Sequence, residues 1–146
     1  MMKISLNSKV NGELEAVYER FDADLFRYLL PSGAKLIEFG GSRKGDRVQL
    51  RLPLVGEWVS EITEDSSSEN MYYFIDEGRK LPFPLKKWHH KHILERDGQT
   101  RTRIIDVMNF STGTIIMDIL FYPALYLAFL PRTWQYAKYF KKINGL

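Results

Sequence analysis

The sequence predicts a single α+β domain, spanning residues 1–146, in which a curved antiparallel sheet of about seven strands wraps around a long C-terminal helix. The apolar residues change from helical to strand-like spacing after residue 34 and return to helical spacing after residue 113. A sheet of this size cannot bury one face alone, and the C-terminal segment is the predicted element that is long enough to cover it. A chain of 146 residues can also build a full core of its own.

The first part of the chain predicts one strand and two short helices. Residues 3–10 alternate between polar and apolar side chains, which is typical of a half-buried strand. Residues 13–21 carry apolar side chains at helical spacing. Asp22 or Asp24 can cap a second short helix, because a carboxylate at this position accepts a hydrogen bond from a free backbone N–H.

The middle of the chain predicts the rest of the sheet. Alternation with a period of two indicates six further strands, over residues 36–39, 47–54, 58–63, 71–76, 86–96 and 99–110. Asp97-Gly98 joins the last two strands and predicts a tight hairpin. The polar stretch 64–70 and the stretch 78–84 are predicted loops.

The C-terminal part of the chain predicts helix over residues 114–143. Pro123 and Pro131 must kink or divide it, because proline lacks an N–H and clashes with the preceding turn. Pro131 suits the start of a fresh helix. The apolar run 115–130 is shorter than the about 20 residues of a membrane span, and it contains Asp118. We therefore predict a buried helix here.

The composition excludes several classes of function. The chain has no cysteine, which rules out disulfides, thiolate metal sites and cysteine nucleophiles and fits a reducing, cytoplasmic location. A net charge of +3 with both signs interspersed does not predict nucleic-acid binding. The N-terminus lacks the continuous apolar core of a signal peptide, and no phosphate-binding glycine loop or nucleophile elbow is found.

The charge is unevenly distributed near the C-terminus. From residue 131 onward every charged side chain is positive: Arg132, Lys138, Lys141 and Lys142. A run of like charges on a helix is usually a solvated face. The alternative is a weak contact with an anionic membrane surface, which attracts basic side chains.

Short motifs on the predicted strands carry a likeness to a known superfamily: Trp58-Val59-Ser60-Glu61-Ile62, Phe74-Ile75-Asp76, Pro82-Phe83-Pro84, Trp88-His89-His90-Lys91-His92 and residues 106–110. With the order of elements, they resemble the START/Bet v 1-like (SRPBCC, polyketide cyclase-like) superfamily of helix-grip domains, in particular its small bacterial ligand-binding members. The resemblance implies a deep cavity between sheet and C-terminal helix for lipids, sterols or polyketides. Some relatives are aromatase/cyclases or hydrolases. Relatives usually have a continuous last helix, whereas this chain has Pro123 and Pro131.

Strand alternation predicts which side chains face that interior. If the large aromatic side chains point inward, so do the residues that share their parity: Phe74 with Asp76, Trp88 with His90 and His92, and Asp106 with Met108 and Phe110. On the C-terminal helix Tyr122, Tyr126 and Phe129 lie three to four residues apart and share one face. Together with Trp58, these residues form the predicted ligand site.

The histidines and aspartates of this site allow three interpretations. A buried polar group without a partner costs about 1–3 kcal/mol, so these side chains should bond to each other, to water or to a ligand. We favour a polar network that orients a ligand among apolar walls. Acid–base catalysis by His90 or His92 with Asp76 or Asp106 is an alternative, because histidine titrates near neutral pH. The third is a metal site, because two histidines and a carboxylate could bind zinc or iron; no third ligand is fixed by the local spacing, so we name no metal ligands.

The sequence therefore favours a module that binds or carries a small, largely apolar ligand of lipid, isoprenoid or aromatic polyketide-like type, without a cofactor. One alternative is an enzyme of cyclase, dehydratase or hydrolase type that uses a His–Asp pair. The other alternative is a membrane-surface lipid handler. The patterns identify neither the ligand nor the oligomeric state.

Overall fold

The elements follow one another along the chain in the predicted order. The computed structural model describes residues 1–143, so the last three residues of the predicted domain lie outside the described part. The strands and helices are β1 Met2–Asn11, α1 Leu14–Glu19, α2 Ala23–Leu29, β2 Lys35–Phe39, β3 Arg47–Leu52, β4 Gly56–Ser67, β5 Met71–Lys80, β6 Lys87–Asp97, β7 Arg101–Ser111, α3 Ile115–Phe129 and α4 Arg132–Ile143. Asp22 caps α2 by accepting a hydrogen bond from the backbone N–H of Leu25.

The seven strands form one antiparallel sheet, as predicted. Their order is β1-β7-β6-β5-β4-β3-β2, so the N-terminal strand pairs with the last strand and each other strand pairs with its neighbours in sequence. The hairpin of β6 and β7 is regular from Lys87 opposite Ser111 to Asp97 opposite Arg101. Because neither strand has a bulge in this ladder, their side chains alternate strictly between the two faces.

Two predicted loops are partly strand. β4 extends through Ser67 and β5 extends through Lys80, so both enter stretches that we predicted as loops, residues 64–70 and 78–84. The two strands pair with each other there, with Ser67 opposite Tyr72, and the hydroxyl of Tyr73 donates to the carboxylate of Glu64. Backbone pairing with a neighbouring strand therefore overrides the turn-like composition of these segments.

The concave side of the sheet is filled by α1, α2 and α4. Tyr136 and Phe140 of α4 are fully buried and belong to one apolar cluster with Leu14 and Leu25 of the short helices and Phe74 of β5. The helix held by the sheet is thus the twelve-residue α4, which begins after Pro131 as predicted. The long C-terminal helix that we predicted is divided, because α3 ends at Phe129.

Helix α3 corrects the prediction of a buried apolar helix. Of its fifteen residues, Asp118 and Leu125 are the ones that are buried. Ile116 is 69% exposed and Leu120 is 68% exposed. Pro123 lies inside the helix without ending it. Taken together, α3 and α4 form a segment of 29 residues that is long and apolar enough to cross a membrane by length and composition alone.

Candidate functional site

Two histidines and two aspartates meet on the concave face of β5, β6 and β7. The ladders place His90 opposite Asp76 and His92 opposite Asp106. The hydrogen bonds run diagonally instead: His92 Nε2 donates to Asp76 Oδ2 at 2.6 Å, and His90 Nε2 donates to Asp106 Oδ1 at 2.7 Å. The two imidazole rings stack with their centroids 3.7 Å apart. The predicted inward orientation of all four side chains is confirmed.

Helix α4 adds two polar side chains that the sequence did not predict at this site. Arg132 Nη1 lies 3.7 Å from Asp106 Oδ1 and donates to the Tyr136 hydroxyl at 3.3 Å. The Arg132 guanidinium also lies over the ring of Phe129, at 4.9 Å from its centroid. The available signal was the spacing of Arg132 and Tyr136, four residues apart and therefore on one face of α4.

The position of Arg132 corrects its predicted place on the basic surface. Its side chain is only 14% exposed, since its guanidinium is turned toward the carboxylate of Asp106. Lys138, Lys141 and Lys142 are exposed as predicted. The six side chains that meet in the interior are called the polar cluster below: Asp76, His90, His92, Asp106, Arg132 and Tyr136.

Burial and pairing set the pKa values in the polar cluster. Burial alone raises the pKa of Asp106, but the hydrogen bond from His90 and the charge of Arg132 bring that pKa down to about 2. The pKa of Asp76 is also lowered, because the hydrogen bond from His92 and the nearby rings outweigh its burial. Burial and the neighbouring His92 ring lower the pKa of His90 to about 4. At neutral pH both carboxylates are therefore ionised and His90 is neutral.

Two buried polar atoms of the polar cluster have no hydrogen-bond partner. These atoms are His92 Nδ1 and Asp106 Oδ2. In a neutral His92 ring the proton is on Nε2, which donates to Asp76, so Nδ1 is a bare acceptor. His92 Nδ1 lies 3.5 Å from Asp106 Oδ1, the oxygen that accepts from His90, so both unpaired atoms belong to side chains in contact.

Apolar side chains surround the polar cluster. Phe74 stacks on His92 with centroids 4.3 Å apart, and Trp88 meets His90 edge-on at 5.8 Å. Phe129 stacks on Trp88 at 5.4 Å. The other residues of the predicted ligand site lie in the apolar cluster to which Trp88 belongs, at the end of the sheet near α3: Trp58, Met108, Phe110, Tyr122 and Tyr126. The structure thus brings the predicted site residues together, with the polar cluster between two apolar clusters.

Two pockets open elsewhere on the described residues. One, of about 240 Å³, is lined by Lys9, Val10, Asn11, Arg101, Ala137 and Lys141. The other, of about 200 Å³, is lined by Met1, Glu77, Gly78, Lys86, Lys87, Trp88 and His89. Of the predicted site residues only Trp88 lines either pocket. An open cavity over the polar cluster stays a prediction.

Asp76, His90 and His92 also form a candidate metal-ligand set. One ligand atom from each lies within 4.8 Å of the others. Two imidazoles and a carboxylate suit zinc or iron(II). However, the 2.6 Å hydrogen bond joins His92 Nε2 and Asp76 Oδ2 directly. Two ligands that share a metal at bonds of about 2 Å lie about 3.3 Å apart, so a metal ion would have to replace this hydrogen bond.

Comparison with known proteins places the fold. No family model and no curated protein matches the chain. A solution structure from Thermobifida fusca aligns with a TM-score of 0.71 at 12% identity, over 97% of this chain and 95% of that one. Norcoclaurine synthase from Thalictrum flavum, as a point mutant with a transition-state analogue, aligns at 0.64 and 11% identity over 90% of both chains. The chain shares the helix-grip fold of these structures.

A third structure with this fold is the Zhui aromatase/cyclase from Streptomyces sp. R1128. It aligns with a TM-score of 0.60 at 15% identity, over 80% of this chain and 72% of that one. The predicted fold class is therefore confirmed by both the strand order and these helix-grip structures. Because the identities are low, the function is argued from the polar cluster itself.

Proposed function

We propose that this helix-grip domain binds a small, largely apolar ligand between its sheet and α4, and that the ligand carries a hydroxyl group directed at His92 and Asp106. The observation that carries the proposal is the pair of buried polar atoms without a hydrogen-bond partner, His92 Nδ1 and Asp106 Oδ2. The large majority of buried side-chain polar atoms have a partner in folded proteins, so these two unpaired atoms indicate a missing donor. A ligand hydroxyl supplies one.

The surroundings support an apolar body on this ligand. The polar cluster is flanked by the rings of Phe74, Trp88 and Phe129. Ligand sites of this kind combine apolar walls with a small number of placed polar groups. Lipids, isoprenoids and aromatic polyketide-like compounds that bear a hydroxyl all meet this description.

Two structures of the same fold suggest the first probes. Norcoclaurine synthase has been solved in complex with dopamine and hydroxybenzaldehyde, and the Zhui protein is an aromatase/cyclase. Those ligands and activities belong to those proteins. They support hydroxylated aromatic compounds as the starting chemistry for this chain.

The test compares 2-naphthol with 2-methoxynaphthalene, which lacks the donor, by calorimetric titration. A hydrogen bond to a charged acceptor contributes about 1.5–3 kcal/mol, so we expect the naphthol to bind about ten- to a hundredfold more tightly. His92→Gln keeps a donor for Asp76 but removes the acceptor at Nδ1, so the preference should decrease to what Asp106 Oδ2 alone supports. His92→Asn keeps an oxygen near the Nδ1 position and should retain part of it.

The matched control is His89→Gln. His89 lies on the same strand between the two site histidines, but its side chain is on the opposite face of the sheet. This variant should bind both compounds as the wild type does. Equal affinity of the wild type for the naphthol and its methyl ether would contradict the proposed donor, and binding of neither by the folded protein would contradict the site.

A second candidate function is acid–base catalysis. The bare Nδ1 of His92 favours it, because an imidazole whose other nitrogen is fixed by a carboxylate can accept a proton. The His92 variants separate the two functions once a bound compound is found to be converted. Turnover lost at unchanged affinity supports an enzyme, whereas altered affinity alone supports a carrier.

A further inference from the structure

Helix α3 exposes an apolar surface that no described part of the chain covers. Its large apolar side chains are exposed along most of its length: Ile115 63%, Ile116 69%, Met117 39%, Ile119 56%, Leu120 68% and Leu127 64%. A helix that is apolar on all sides normally lies in a protein core or in a membrane. Soluble monomers rarely leave a large contiguous apolar patch in water, so this surface requires an occupant.

The single charge of α3 is withdrawn from that surface. Asp118 is buried, and its Oδ1 accepts hydrogen bonds from the backbone N–H of Thr112 at 2.5 Å and from the Thr112 hydroxyl at 2.7 Å. These bonds lower the pKa of Asp118, the backbone bond most, and hold its carboxylate against the end of β7. The exposed face of α3 is therefore uncharged, although the sequence places an acid in the first turn.

Helix α4, which follows α3 in the chain, carries exposed basic side chains. From Ile119 to the end, the chain contains no acidic residue. Lys138, Lys141 and Lys142 of α4 are exposed, and Trp134, in the first turn of α4, is 56% exposed. Tryptophan favours the membrane–water interface, and lysine favours anionic lipid headgroups. A second copy of this chain would bring the same basic side chains, so the charge of α4 favours an anionic bilayer over a second copy.

The length and packing of α3 suit a helix that lies in a membrane surface better than one that spans the bilayer. Its fifteen residues extend for about 22 Å, less than the about 30 Å of a hydrocarbon core. To cross with α4 as one long helix, the chain would have to remove Tyr136 and Phe140 from the core and Arg132 from Asp106. A helix that lies in the interface leaves the sheet and the polar cluster intact.

We infer that α3 docks on an anionic membrane surface, with its exposed apolar side chains in the headgroup–acyl boundary and the lysines of α4 on lipid headgroups. The inference stands apart from the proposed ligand, because it uses the outer face of α3 and no residue of the polar cluster. It extends the predicted contact between the basic side chains near the C-terminus and an anionic membrane surface. The apolar face of α3 adds an anchor that salt does not screen.

The experiment is flotation of the protein with vesicles of phosphatidylcholine alone or with one quarter phosphatidylserine. We expect binding to the anionic vesicles and at least fivefold weaker binding to the neutral ones, with a decrease as salt rises. Ile116→Glu with Leu120→Glu should lower binding at least tenfold. Lys138→Gln with Lys141→Gln and Lys142→Gln should remove the preference for anionic lipid and leave weak binding.

The control with equal added charge is Leu54→Glu with Val55→Glu, at exposed apolar residues remote in sequence from α3. It should bind vesicles as the wild type does, and circular dichroism checks that each variant is folded. Loss of binding in this control, or no vesicle binding by the wild type, overturns the inference. A dimer in sedimentation velocity that the α3 variant dissociates, without vesicle binding, assigns the face to a second copy instead.

Discussion

Replacing Asp106 by Asn should destabilise the fold by an amount that depends on pH. The variant keeps the shape of the side chain and an acceptor for His90 Nε2, but it removes the charge next to Arg132. The pKa of Asp106 falls from an ordinary 3.8 to about 2, a difference that corresponds to about 2 kcal/mol in favour of the folded, ionised form. We therefore expect the variant to lose about 2 kcal/mol of unfolding free energy at pH 7.

The pH dependence gives the sign of this effect. A carboxyl group whose pKa is lower in the folded state stabilises the protein above its unfolded pKa, and this stability is lost as pH falls through the folded value. The difference between wild type and Asp106→Asn should thus be full at pH 6–7 and shrink between about pH 5 and pH 2. The buried His90 has its pKa lowered from 6.5 to about 4, so the folded state resists its protonation. Both proteins are therefore also destabilised as pH falls below about 6.5.

The assay is urea unfolding followed by tryptophan fluorescence at pH 7, 5 and 3. Asp24→Asn is the control, because the Asp24 side chain is 80% exposed and its bond to Arg27 lies on the surface. Such pairs contribute about 0–1 kcal/mol, so this variant should change little at any pH. Equal stability of wild type and Asp106→Asn at pH 7, or a loss that stays constant down to pH 3, would refute the argument from charge.

Two further predictions concern the helices that pack against the sheet, α4 and α2. Phe140→Ala should lower the unfolding free energy by about 3–5 kcal/mol, because Phe140 is 1% exposed and anchors α4 in the core. Calorimetric melting measures this loss. A loss below 1 kcal/mol would argue against the packing of α4. Asp22→Ala should cost about 1 kcal/mol by removing the cap of α2, with ligand binding unchanged; an unchanged melting temperature would show that the cap is dispensable.

The side-chain parity of β5, β6 and β7 could be predicted from the sequence. Counting by two from Trp88 placed His90 and His92 on the inner face, because β6 pairs with β7 without a register shift. On β4 the same counting from Trp58 gives the buried Ser60 and Ile62, but it does not predict that Val59, next to a shift in the ladder, is buried as well. A bulge depends on the partner strand, and a single sequence does not show it.

The contribution of the helices could not be predicted in the same way. In the sequence, Arg132 looks like a surface residue within a basic tail. It is buried because α4 packs against the sheet, and this packing is a contact between distant parts of the chain. The apolar composition of α3 predicted burial, but composition does not tell whether protein or lipid covers a helix. The position of each helix relative to the sheet therefore decides what its residues do.

The most direct test of the central claim is native mass spectrometry of freshly purified protein, followed by organic extraction of whatever is bound. The account predicts one equivalent of an apolar compound that bears a hydroxyl group, with a lower occupancy in the His92→Gln variant and full occupancy in His89→Gln. A clean unliganded mass, with no uptake from a mixture of hydroxylated lipids and aromatic compounds, would contradict it.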